Sequence, residues 1–302
     1  MLTILAMPKP FQGHIATIQR NAITSWTMLR PRPEIFLFGE EEGVAEIAAE
    51  LGLGYLPEVA RNEYGTPLLD DALAKAHELA SNRLLCYVNA DIMLLDPFLK
   101  GVAAVSARLE KFLVVAQRLN VDVSAPIAFG AGWEENFRNN VLAAGAPGSH
   151  TAIDVFVFPQ RTYAHVPPFA VGRAWFDQWF IKAARVAGLP VVDVSAVARA
   201  IHQNHEYGHI AGGQKGAYWG EEARKSLEMY GERPHRYTLL DVTHELTPEG
   251  KLRRVRLRRP IHTTREWLWK ILVQKTSPVR KRLGLRRESR KKVFKKDSIS
   301  RA

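Results

Sequence analysis

The chain has 302 residues, 46% of them hydrophobic and 24% charged, with a single cysteine, Cys86. These proportions give a globular chain with enough apolar material for one large domain or two modest ones, and they exclude disorder as its general state. The net charge of +11 is held unevenly: residues 251–302 carry 20 Lys and Arg against three acids, a net +17, while the first 250 residues carry 22 against 28, a net −6, which excludes basicity as a property of the body.

The opening "MLTILAMPKP" places its first positive charge, Lys9, after a short apolar run, so no secretory signal is expected. No stretch reaches the roughly 18 consecutive apolar residues of a membrane-spanning helix. Cys86 lies in an apolar run and is expected to be a buried small hydrophobe, which suits a reducing cytoplasm.

In chain order, "LTILAM" predicts a strand ending at Pro8. Ile15, Ile18, Ala22, Trp26 and Leu29 recur at helical spacing until Pro31 and Pro33 end that helix. "EIFLFG" predicts a second strand and "VAEIAAELGL" a helix closed by glycine. "YLPEVA" is a short extended piece, and "PLLDDALAKAHELA" predicts a helix leading into the strand "RLLCYVNADI". Past Leu95 the pattern loosens. "KFLVVAQRLNV" and "AIDVFVFP" read as strands, and "AWFDQWFIKAARVAG" as an amphipathic helix with Trp175, Trp179, Ile181 and Val186 available for packing. "LPVVDVS" reads as a last strand, "IHQNHEYGHIAGGQKGAYWG" as a loop, and "EEARKSLEMYG" as a helix. Alternating strands and helices predict an α/β fold with a mostly parallel sheet over residues 1–250, followed by a basic tail over 251–302.

The carboxyl edge of such a sheet is where ligands bind. "YVNADIML" ends its apolar run there with Asn89 and Asp91, the latter a hard oxygen ligand suited to Mg²⁺ or Mn²⁺. Alone, this triplet reads more readily as a turn cap. The loops "MPKPFQGH" and "GEEEG" are expected to open on the same edge, into one cleft. Further along, His202, His205 and His209 have the count of a zinc site, but the Gly, Asn and Tyr around them argue against a helix that would align them.

The strand-helix units, the acidic cluster after the second strand and "YVNADIML" together resemble, over about residues 1–230, the GT-A type glycosyltransferases, the nucleotide-diphospho-sugar transferases similar to family 2. The resemblance implies that Asp91 holds a metal bridging the donor diphosphate. Asn89 stands where the family has an aspartate, which puts its donor contact in doubt. It implies Glu40, with Glu41 beside it, as the reader of nucleobase and ribose. Pro8 and Lys9 would lie beside the nucleotide, with Lys9 against a phosphate. His202 or His205 would complete the metal shell or touch the diphosphate. Gly65, in "NEYGTPL", would let the donor approach bare backbone, and Lys215 would close over the phosphates.

An inverting transfer also needs a base for the acceptor hydroxyl. Asp177, among Trp175, Phe176, Trp179 and Phe180, is the first choice, although helical spacing also offers Arg173 as its ion-pair partner. Asp154 is the second choice, or a holder of an acceptor hydroxyl. The expected activity is metal-assisted transfer of a sugar from a nucleotide-diphosphate donor to a saccharide or lipid-linked hydroxyl. The tail segment "TREWLWKILVQK" and the basic run after it suit an anionic membrane surface, giving a cytoplasmic enzyme held peripherally at the inner membrane face. A sugar-nucleotide pyrophosphorylase would need a Gly-rich, basic loop after the first strand, which "MPKPFQGH" lacks. A nucleic-acid binder would use the tail but would leave the acidic body unexplained.

Overall fold

The computed structural model describes residues 1–163, 165–205, 213–231 and 236–255. Of the expected basic tail, residues 251–255 are described and include a strand of the sheet, while residues 256–302, with the expected interfacial helix, lie outside the described residues, as does His209. The first half comprises β1 (Leu2–Ala6), α1 (Gly13–Met28), β2 (Glu34–Phe38), α2 (Val44–Leu51), β3 (Gly54–Leu56), α3 (Leu69–Leu79), β4 (Leu84–Val88), β5 (Ile92–Met93), α4 (Asp96–Ser106) and β6 (Leu113–Val121). There follow α5 (Trp133–Asn140), β7 (Ala146–Pro147), β8 (Ile153–Pro159), α6 (Phe176–Val186), β9 (Val191–Asp193), β10 (Ala200–Gln203), α7 (Gly213–Trp219), α8 (Glu221–Tyr230), β11 (His244–Leu246) and β12 (Leu252–Arg254).

The main sheet runs β12-β11-β9-β6-β8-β4-β1-β2-β3, and the α/β class expected from the sequence is present. Strands β1 to β4 are mutually parallel, and β8 is inserted antiparallel between β4 and β6. β4 and β8 are buried along their whole length because helices cover both faces, which is why they read as unbroken apolar runs. One core, under α1, α2 and α4, includes Ile4, Trp26, Cys86 and Phe98; the other, under α3 and α6, includes Leu73, Tyr87, Phe156 and Phe180.

Several expectations change. "LPVVDVS" is not the last strand: β10 to β12 follow, and β12 carries the sheet to Arg254. The segment expected as a loop contains β10, because "AIHQ" finds a parallel partner in β6 and an antiparallel one in β5. It also contains α7. Val186 is 75% exposed rather than packed, since it falls on the outer side of the last turn of α6. Among the described residues, no helix is long and apolar enough to cross a membrane.

Candidate active site

The strand ends collect Pro8, Lys9, Glu41, Gly65, Asn89, Asp91, Arg118, Asp154, Asp177, His202 and His205 around one cleft of about 530 Å³. Its floor is held by buried amides on α1 that the apolar periodicity of that helix concealed. Gln19 accepts from the Lys9 backbone N–H (2.6 Å) and donates to the Lys9 carbonyl (2.8 Å), clamping the β1 loop. Asn21 donates to Gln203 Oε1, and Gln203 Nε2 donates to the carbonyls of Ile18 and Asp91. Trp26 Nε1 donates to the Ile92 carbonyl and Ser25 Oγ accepts from the Leu94 N–H. The turn carrying Asp91 is thus pinned from behind, as a group that must hold its geometry requires.

Asp91, His202 and His205 each offer a ligand atom, and these atoms all lie within 4.8 Å of one another. The two histidines reach Asp91 because β10 pairs His202 with Ile92 and the chain then turns back at Asn204, whose N–H donates to the Val121 carbonyl. His205 Nε2 lies 3.0 Å from Asp91 Oδ2, and Lys9 Nζ lies 3.9 Å from the same oxygen. Burial alone would raise the Asp91 carboxyl, but the His205 hydrogen bond and the charges of Lys9, His202 and His205 outweigh it and hold it below the usual carboxylate range. Burial lowers His202 and favours the neutral imidazole that a metal needs. Asp91 Oδ1 and His202 Nδ1 are buried without a hydrogen-bond partner. One hard carboxylate, neutral imidazole and two orphaned acceptor atoms fit a divalent cation such as Mn²⁺ or Mg²⁺.

Asn89 lines the cleft but stands outside this cluster. Its Nδ2 donates to Asp154 Oδ1 (3.0 Å) and its Oδ1 accepts from the Tyr87 hydroxyl (3.3 Å). Asp154 is a poor candidate for a base: both its oxygens accept from Arg118, at 2.6 and 2.5 Å, in a bidentate pair on adjoining strands. Asp154 is only 3% exposed, so replacing Arg118 by Met would strand a buried charge. The expected cost is about 3 kcal/mol in urea denaturation, where a surface pair would show under about 1 kcal/mol.

Asp177 opens α6 on the cleft wall, and burial pushes its carboxyl up to about 7. The Gln178 backbone N–H and the guanidinium groups of Arg236 and Arg118 pull it down, while the charge of Asp154 adds to the rise. Gln178 Nε2 donates to Asp177 Oδ2 at 2.8 Å, and Oδ1 is buried without a partner. The alternative ion pair with Arg173 does not form, because Arg173 binds Glu222 Oε2 at 2.6 Å, and Glu222 also accepts from Asn62.

Glu40 does not line the cleft. Its side chain is 73% exposed and lies 3.7 Å from Arg61. Gly39, at φ +104°, turns the chain after β2 so that the Glu41 carboxylate folds into the space a Cβ on Gly39 would need. Glu41, rather than Glu40, therefore lines the cleft, with Oε1 on Arg61 (2.9 Å) and Oε2 buried and unpartnered. Gly65 lines the cleft at φ +77° with open space where a Cβ would stand. Lys215 is exposed on α7 and does not line the cleft, whereas Ala217 and Tyr218 of that helix do. Arg118, Gln178 and Arg236 were missed by the sequence reading. Arg118 left one signal, a cation ending the apolar strand "LVVAQRLNV".

No protein-family model matches the chain, and no curated protein matches it. Among solved structures it is similar to glucosyl-3-phosphoglycerate synthase from Mycobacterium tuberculosis in complex with Mg²⁺ and UDP, at 12% identity over 78% of this chain and 80% of that one, with a TM-score of 0.47. It is similar to a mannosyltransferase from Pyrobaculum calidifontis in complex with GDP-Man and Mn²⁺, at 14% identity over 68% of this chain and 58% of that one, with a TM-score of 0.44. It is also similar to TarS from S. aureus, at 11% identity over 67% of this chain and 57% of that one, with a TM-score of 0.39. Each is a likeness of fold.

Proposed function

We propose that the chain is a glycosyltransferase that moves a sugar from a nucleotide-diphosphate donor to a hydroxyl acceptor with the help of a divalent cation. The observation that carries this reading is the meeting of Asp91, His202 and His205 at the carboxyl edge of the sheet, in the same cleft as the unpaired oxygen of Asp177. Asp91, His202 and His205 would hold Mn²⁺ or Mg²⁺, which supplies positive charge against the negative charge that builds on a departing diphosphate. Lys9, clamped by Gln19, sets a further cation beside that charge. Glu41, with an open buried oxygen, is placed to accept from hydroxyl or N–H groups of the nucleoside. Pro8 and the bare backbone of Gly65 leave room for the donor along the cleft wall. Asp177 Oδ1 takes the proton of the acceptor hydroxyl as the hydroxyl oxygen bonds to the anomeric carbon and the bond from that carbon to the diphosphate breaks, the arrangement that inversion requires.

A base held near pH 7 predicts the shape of the pH profile. Activity is expected to rise as pH increases through about 7, because only the ionised Asp177 accepts the proton. A profile flat from pH 5 to 9 speaks against Asp177 as the base.

The acceptor is a saccharide or a lipid-linked glycan. The second choice rests on the +17 charge of residues 251–302, which would hold a cytoplasmic enzyme at an anionic inner membrane face. Truncation after Arg258 is expected to keep donor binding and to abolish sedimentation with phosphatidylserine vesicles; unchanged sedimentation removes the membrane reading.

The reading is tested by thermal shift with UDP, GDP, dTDP and CDP, each with and without Mn²⁺. One of them is expected to stabilise the protein, and only in the presence of the metal. If none does, the donor assignment fails.

A further inference from the structure

Arg236 lies after α8, and its guanidinium sits over the ring of Trp175, 5.1 Å from the centroid. Trp175 itself immediately precedes α6 at φ +92°, a left-handed conformation costly for a bulky residue and characteristic of positions that the surrounding structure must enforce. Arg236 Nε donates to Gln178 Oε1 at 3.2 Å, and Gln178 Nε2 donates to Asp177 Oδ2 at 2.8 Å. Gln178 is 1% exposed. A guanidinium can only donate, so the amide end it touches must be the carbonyl, and the NH₂ end is thereby turned to the carboxylate. Without that constraint a buried amide has two orientations, and the flipped one would present Oε1 to Asp177, accepting from the protonated acid and repelling the ionised one.

We infer that Arg236 is a positioning residue acting through Gln178: it fixes the amide so that Nε2 holds one oxygen of Asp177 in its ionised form and leaves Oδ1 for a ligand. This rests on the proposed role of Asp177 for its purpose, but its geometry stands independently of any substrate. Among the described residues, the charged and titratable groups that act on Asp177 include Asp154 from β8, Arg118 from β6, Tyr87 from β4 and Arg236 itself. Arg118 pairs with Asp154, and Arg236 acts on the carboxylate both by its charge and through the Gln178 amide.

The test reads the protonation of Asp177 without substrate. Urea stability is measured from pH 5 to 9 for the full chain with and without Asp177→Asn; the gap between the two widens above the unfolded carboxyl value and levels off at the folded one, so the pH of levelling reports the carboxyl in the folded protein. The same pair is then made in Gln178→Leu, in Arg236→Met and in the double variant. Gln178→Leu is expected to move the levelling pH upward by about one unit, corresponding to about tenfold tighter proton binding by Asp177. Arg236→Met is expected to move it in the same direction. In the Gln178→Leu background, Arg236→Met should then add less than half of its own effect, because its route through the amide is gone.

A levelling pH that Gln178→Leu leaves in place overturns the inference, and so does an Arg236→Met effect that adds by half or more, since both leave Arg236 acting as a charge alone. Should Gln178→Leu fail to fold, the unbranched Gln178→Met takes its place. If Asp177→Asn leaves turnover intact while these shifts appear, the proposed function fails and the positioning stands. If turnover is lost but the shifts are absent, the positioning fails alone.

Discussion

Asp177→Asn is expected to lower turnover by about 10²- to 10⁴-fold, the range supplied by a positioned base, while making the protein more stable at pH 8. The second effect follows from the same burial. A carboxyl raised to about 7 in the folded state binds a proton more tightly than in the unfolded chain. Its favourable contribution is complete below the unfolded value near 4 and is lost as pH rises through about 7. At pH 8 the native protein therefore carries a buried charge costing on the order of 3 kcal/mol, which the neutral amide relieves. At pH 4 the two proteins should melt together. Asparagine keeps an oxygen for Gln178 Nε2, so the hydrogen bond at Oδ2 does not confuse the comparison. Lower activity with equal stability at pH 8 would place the residue at the site without the desolvation argued here.

Asp91→Ala should have the larger effect on binding. Its Oδ2 faces both His205 and Lys9, and its Oδ1 is buried without a partner. Removing it takes the one carboxylate from the cluster and leaves two imidazoles, too little charge for a hard cation that prefers oxygen. Metal-dependent nucleotide binding is expected to fall by about 100-fold or more, the equivalent of about 2.7 kcal/mol. Stability without nucleotide is expected to fall as well, because Lys9, whose charge burial already disfavours, loses its nearest counter-charge. Lys9→Met should therefore offset part of the stability lost in Asp91→Ala, a coupling readable by a double-mutant cycle. Additive losses would mean that the two side chains do not interact.

Much of the scaffold was legible in the sequence because burial writes itself as pattern. The repeats from β1 to β4 appear as apolar runs alternating with helical spacing, and the break at Asn89 and Asp91 marks the strand end where the structure places it. Cys86 is buried as expected. His202 and His205 were visible as candidates, yet their approach to Asp91 depends on β10 joining β6 and β5, a pairing between segments over 80 residues apart that no local pattern records.

Other parts were hidden for physical reasons. The amides that hold the floor, Gln19, Asn21 and Gln203, are polar side chains at buried positions; periodicity treats them as interruptions, although they satisfy backbone groups that would otherwise be orphaned. That Glu41 and not Glu40 lines the cleft turns on the positive φ of Gly39, a one-residue change of direction beneath the resolution of composition. The role of Gln178 could not be separated from its place on an amphipathic helix until Arg236 was found against it.

The central claim is that Asp91, His202 and His205 form the cation site of a nucleotide-sugar enzyme. Its most direct test is Mn²⁺ binding followed by electron paramagnetic resonance, with the nucleoside diphosphate that stabilises the protein present, in the native chain and in Asp91→Ala and His205→Ala. About one tightly held Mn²⁺ per native protein is expected, and its loss in both variants. Binding that persists undiminished in both would contradict it.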